Sequence, residues 1–216
     1  MTTFDKQVEE FIKFLQNYEK LPDVFNPWGD VDDFDRPNGV NIRCNNLRQY
    51  LLARENAKIV LLAEAPGYQG CHFSGIPLMS ERIIIDLPPY QRSSDSEKIT
   101  GKSKMVVKYG FAEPSSTIMY NSGYWDKCVC WNIFPFHPYP QGNVRKNDTP
   151  DDQEICKTFD VLQKFLALFP NAKVISVGNR AEFGLCKHDI KAFGHVRHPS
   201  NGGKWEFFNG LAKFCK

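Results

Sequence analysis

Long apolar runs are missing from this chain of 216 residues. None reaches the roughly 18 residues that a membrane-spanning helix needs, so no membrane partner is expected. The usual phosphate signatures are missing too. There is no G-x-x-x-x-G-K-[ST] and no G-x-G-x-x-G after the first strand-like run, so neither a P-loop nor a dinucleotide fold is supported. The G-x-S-x-G turn that exposes a hydrolase serine is also absent. Cysteines occur, but never as C-x-x-C. The seven, Cys44, Cys71, Cys128, Cys130, Cys156, Cys186 and Cys215, are an odd set in a chain large enough to build its own core. They read as reduced thiols of a cytoplasmic protein. The acidic, amphipathic N-terminus does not read as a secretory signal. Cys128 and Cys130 with His137 fall short of four well-spaced ligands. The two cysteines read instead as small buried residues on one strand face, and no metal is expected.

Net charge is also scarce, at +2. That total hides an asymmetry. Residues 1–40 carry nine acids and four bases, which leaves +7 for the rest. A basic body with an acidic arm fits a polyanionic partner. With 42% hydrophobic and 24% charged residues, the chain is neither disordered, collagen-like nor coiled coil. Its length suits one domain, residues 1–216, that buries roughly 70% of its unfolded surface. Within it, residues 1–43 form an acidic helix plus loop packed on the rest.

Hydrophobic spacing supplies the elements. Phe4, Val8, Phe11, Ile12, Leu15 and Tyr18 recur at helical intervals. Residues 20–43 are rich in Pro, Asn, Gly and Asp and read as a loop, with a short helix over 45–55. Residues 58–63 are a compact apolar run, the mark of a buried parallel strand. Similar runs fall at 127–133, 173–177 and 192–197. Residues 92–104 are Ser- and Lys-rich and read as a mobile surface segment. Pro114 opens a helix. Three prolines between residues 134 and 140 stop the second strand. Thr149 as N-cap with Pro150 at the first helical position starts a helix that runs to Phe169. Gly178 starts another, and a last helix holds Trp205, Phe208, Leu211 and Ala212. Strands alternating with helices predict an α/β fold: a three-layer α/β/α sandwich on a four-stranded parallel sheet.

Ligands of such sheets bind beyond the C-terminal strand ends. Glu64, Asn132 and His198 stand there. A carboxylate can hold a water, an amide can read one edge of a base, and an imidazole can donate to developing negative charge. Each has a plainer reading: Glu64 as a helix-start carboxylate, Asn132 as a tie for the proline-rich loop, His198 as a turn residue. Their coincidence at one sheet edge favours chemistry. Lys187, Lys191, Arg197 and Lys204 fit either a phosphate track or a solvated face.

The succession Glu64-Ala65-Pro66-Gly67, Gly75-Ile76-Pro77, Trp131-Asn132 and His198-Pro199-Ser200 resembles the uracil-DNA glycosylase superfamily. The likeness spans residues 58–203 and is strongest to a branch with a G-E-A-P-G first motif. It implies an enzyme that flips a nucleotide out of single- or double-stranded DNA and hydrolyses its N-glycosidic bond. By the same resemblance, Glu64 positions the water, Asn132 bonds the flipped base, and His198 stabilises the oxyanion on the leaving base. Gly67 and Tyr68 line the pocket through their backbone. Leu78 stands at the usual stacking aromatic, with Phe73 as a substitute. Ser200, Asn201, Gly202 and Lys204 contact DNA. The product is an abasic site, no cofactor is implied, and the protein is expected to act as a monomer.

Four departures qualify the match. Ala65 replaces an acid of the best-known branch. Gly67 replaces a blocking Tyr, which predicts a pocket open to larger bases. Leu78 is not aromatic, and the loop 201–203 lacks an apolar wedge. The branch often carries a four-cysteine iron–sulfur cluster. Here Cys44 and Cys156 fall near two of its positions, with Asn41 and Phe136 at the others, so no cluster is expected. Two further readings stay open: a module that binds damaged bases without cutting, and a glycosylase for hypermodified phage bases.

Overall fold

The computed structural model describes residues 2–215. In chain order the elements are α1 (Thr3–Gln16), β1 (Val24–Phe25), α2 (Gly39–Leu52), β2 (Ile59–Ala63), α3 (Cys71–Ser74), α4 (Glu81–Ile84), α5 (Lys104–Tyr109) and α6 (Pro114–Asn121). After a 3-10 turn over Trp125–Lys127 come β3 (Val129–Asn132), β4 (His137–Pro138), α7 (Asp152–Lys157) and α8 (Phe159–Leu168). β5 (Lys173–Val177), α9 (Asn179–Lys187), β6 (Gly194–Val196) and α10 (Lys204–Phe214) complete the chain.

The four predicted strands form one parallel sheet in the order β3-β2-β5-β6, flanked by helices in an α/β/α arrangement. Every residue of β2 is buried, as a central strand requires. Register pairs Ala63 with Asn132 and Val177 with Val196. The strands therefore end level, and the loops that follow them emerge on one edge. The α1 stripe of Phe4, Val8, Phe11, Ile12 and Leu15 is buried in the main core. Phe11 lies 5.4 Å from the Trp131 ring, which stacks on Phe165 at 4.5 Å. Thr2 caps this helix by accepting from the Asp5 N–H.

Several local expectations change. The loop read over 20–43 contains β1, and α2 begins at Gly39 rather than Asn45. The cause is Arg43, fully buried, which bonds Asp35 at 2.5 Å, the Asp30 carbonyl at 2.6 Å and the Pro27 carbonyl. The segment 92–104 is not a mobile surface stretch at its start. Arg92, Ser93 and Ser94 are buried. The buried Glu81 carboxylate accepts from the Ser94 N–H and hydroxyl, and Arg92 donates to the Val107 carbonyl. Polar composition here reflects internal satisfaction, not exposure. β4 pairs antiparallel with β1 despite the prolines, because Pro138 sits at the end of a two-residue ladder. The helix expected from Thr149 starts two residues later, at an Asp151–Glu154 capping box, and breaks at Thr158. On α10 the inward residues are Phe207 and Leu211, while Trp205 is 67% exposed. No described helix is long and apolar enough to cross a membrane.

Candidate active site

A cavity of about 350 Å³ opens at the C-terminal edge of the sheet. That lies within the roughly 300–1,000 Å³ of small-ligand sites. Glu64, Pro66, Gly67, Leu78, His198 and Ser200 are among its walls. Glu64, His198 and Ser200 also border a second, adjoining hollow of about 620 Å³ with Asn201 and Arg197. Two of the three predicted strand-end side chains thus meet across one space.

Glu64 continues β2 past its last ladder residue, its carbonyl accepting from the Phe134 N–H at 3.0 Å. Its carboxylate has no hydrogen bond or ion pair to a described residue. It is free to hold a water. Asn132, 2% exposed at the end of β3, is not among the cavity-lining residues, although its register partner Ala63 is. Its Oδ1 is buried with no donor among the described residues. An orphaned buried acceptor costs about 1–3 kcal/mol, and a ligand donor at this edge would relieve it.

His198 follows β6. The Ser200 N–H donates to Nδ1 at 3.2 Å, and the Ser200 hydroxyl lies 2.7 Å from the same nitrogen. An Nδ1 that accepts leaves the proton on Nε2. Burial holds the imidazole below its ordinary pKa, and so neutral. The ring is therefore set as a neutral donor. At Gly178, with φ +83°, an added Cβ would stand 3.0 Å from the His198 Cβ. A side chain there would press on the imidazole.

The loop 64–70 is held from behind. The Tyr68 N–H donates to Asn147 Oδ1 at 2.8 Å, so that donor is not available to a base as expected. The Tyr68 ring is buried beside Phe73 and Phe111. Phe73 also departs from expectation. It is fully buried, stacked on Phe111 at 4.3 Å, and outside the cavity. Leu78 does line the cavity, at φ +59°. A bulky side chain in that region stores about 1–3 kcal/mol of strain. The Ser74 hydroxyl, 2.8 Å from the Met79 carbonyl, braces the turn.

Gly67 does not open the pocket. A Cβ there would collide with Oε1 of Glu113, and one at Gly70 with its Oε2. The space expected to admit larger bases is occupied by this carboxyl. Glu113, just before α6, is half-buried, and burial raises the pKa of its carboxyl. The sequence showed Gly67 making room, but not the partner more than forty residues away. Asn147 was missed for the same reason.

Of the predicted DNA contacts, Ser200 is committed to His198, and Asn201 borders the second hollow at φ +52°. Gly202 shares that left-handed conformation. Lys204 lies over the Trp205 ring. Arg197 braces the loop by donating to Glu206 and the Asn201 carbonyl. The residues do not fit an iron–sulfur cluster. Cys44 donates to the Trp28 carbonyl, Cys156 is exposed, and Phe136 packs between Tyr18 and Trp28. His137 is held by His72 and the Lys146 carbonyl. Among the described residues no cluster of three or more His, Cys, Asp or Glu is placed to hold a metal.

No family model matches the chain, and no curated protein matches it. Among solved structures, the chain is similar to wild-type SMUG2 of Pedobacter heparinus, with a TM-score of 0.62 over 99% of this chain and 97% of that one, at 14% identity. The likeness is one of fold.

Proposed function

We propose that the protein is a monofunctional DNA glycosylase acting on a flipped-out uracil or related modified base. One observation carries this reading: an unpaired Glu64 and a neutral, pre-oriented His198 border the same strand-end cavity. The fold shared with SMUG2 supports a DNA glycosylase-type function.

Flipping is required because the target bond is inaccessible within the base stack. Glu64 orients a water toward C1′ and accepts its proton as the C1′–oxygen bond forms. The C1′–nitrogen bond breaks, and its electron pair leaves with the base. His198 Nε2–H donates to the base oxygen on which that charge accumulates. A fixed neutral donor needs no reorganisation at that moment. The Asn132 amide reads the base edge. The proton taken up by Glu64 passes through solvent to the departed base anion, so free base and an abasic site result, without a cofactor.

The test is incubation with oligonucleotides that each carry one uracil, hypoxanthine, xanthine or 5-substituted pyrimidine, followed by alkali. Strand breaks at the modified position support the reading. Binding without breaks on any substrate would favour the non-cutting module, which Ala65 and Leu78 in the cavity wall motivate.

A further inference from the structure

We propose that Glu113 is a specificity-determining residue of this site: its carboxyl donates a hydrogen bond to an oxo group on the flipped base. The inference rests on the glycosylase reading and names the substrate class, bases that carry a carbonyl at the edge facing residue 67.

Glu113 lines the cavity that Glu64 and His198 border. Its carboxyl fills the volume beside Gly67 and Gly70, and neither position tolerates a Cβ while it stays there. The two glycines therefore bring a polar group, not empty space, to the wall. Its bonding is asymmetric. Oε2 accepts from the Ser116 hydroxyl at 2.7 Å, and no donor among the described residues meets Oε1. No cationic side chain among the described residues pairs with it, and burial disfavours its ionised form. In its protonated form, with Oε2 engaged by Ser116, the carboxyl carries its proton on Oε1 and is a donor there. A donor accepts an oxo base and leaves an amino base with two donors face to face. Sites built on such a bond discriminate strongly, because the wrong partner leaves a buried group unpaired. The Glu64 carboxylate has no hydroxyl partner among the described residues, which separates the two carboxyls in role.

The experiment compares wild type, Glu113→Gln and Glu113→Ala on the oligonucleotide panel under single-turnover conditions, together with binding to DNA that already holds an abasic site. An amide at 113 keeps a donor, and a methyl does not. The expected result is a loss of at least about tenfold in kcat/KM on oxo bases for Glu113→Ala, the worth of one hydrogen bond. Glu113→Gln stays close to wild type. Abasic-site binding is unchanged in both, because no base edge is present. If Glu113→Ala does not fold, Gly67→Ala, which displaces the carboxyl, is expected to give the same loss. Equal kcat/KM for wild type and Glu113→Ala overturns the inference and leaves the glycosylase reading intact. A Glu113→Gln defect as deep as that of Glu113→Ala also overturns it, as does a parallel loss of abasic-site binding. If wild type excises nothing, the glycosylase reading fails and this inference falls with it.

Discussion

His198 owes its orientation to one neighbour. Ser200 supplies both contacts to Nδ1, so the ring's tautomer depends on a residue two positions away. Replacing Ser200 with Ala removes the hydroxyl and keeps the backbone donor. The expected effect is a fall in kcat on the order of tenfold, about 1.4 kcal/mol in the barrier, with KM little changed. A KM defect of that size with kcat intact would instead assign Ser200 to DNA contact. The strand-end residues Glu64, Asn132 and His198 were legible from sequence because each follows a compact apolar run. Glu113 and Asn147 were not. They lie in polar loops, and only the folded chain brings them to the 64–70 loop. Phe73 was misread for a related reason: an aromatic near a pocket motif gives no sign of whether it faces the pocket or a neighbouring ring.

Elements that carry the site are tied together by buried polar groups. Arg43 on α2 pins the loop before it through Asp35, Asp30 and Pro27. Arg43→Ala leaves the buried Asp35 unpaired, and a destabilisation of about 3–5 kcal/mol is expected, read as a lowered urea midpoint. A change below about 1 kcal/mol would contradict this account of α2. Behind the cavity runs a second array, Asp32–His72–His137–Lys146. The Lys146 carbonyl can only accept, so His137 carries its proton on Nε2. His72 then donates from Nδ1, and its Nε2 accepts from a protonated Asp32. Burial pushes both imidazoles down, His137 to about 3, and pushes Asp32 up. Below the ordinary histidine pKa of about 6.5, the unfolded chain protonates both imidazoles. The folded chain keeps only the carboxyl proton. The unfolded state therefore binds more protons, and stability falls as pH drops from about 6.5 toward 4, by roughly 1.4 kcal/mol per pH unit for one net proton. Melting temperatures across that range check the slope. A flat profile, or one rising with acid, would refute this assignment of protons. None of this array was legible in sequence, because its members come from three distant segments.

At the scale of the whole molecule, the alternation of apolar runs with helical stripes predicted the four-stranded parallel sheet, though not its strand order, since burial on both faces leaves a pattern that survives without tertiary knowledge. The charge reading changes meaning. The acidic excess of residues 1–40 is partly internal, with Asp32 and Asp35 buried against His72 and Arg43. The arm is also not peripheral: α1 buries its apolar stripe against β3 and α8. What the fold delivers is one edge where a neutral imidazole and an unpaired carboxylate share a cavity. The most direct test of that claim is single-turnover excision on the modified-base panel, wild type against His198→Ala. The account predicts alkali-labile sites with wild type on at least one oxo base, and a rate about 10²–10³-fold lower in the variant, the usual worth of one oxyanion donor. No excision by wild type on any substrate, or equal rates for the two proteins, would contradict it.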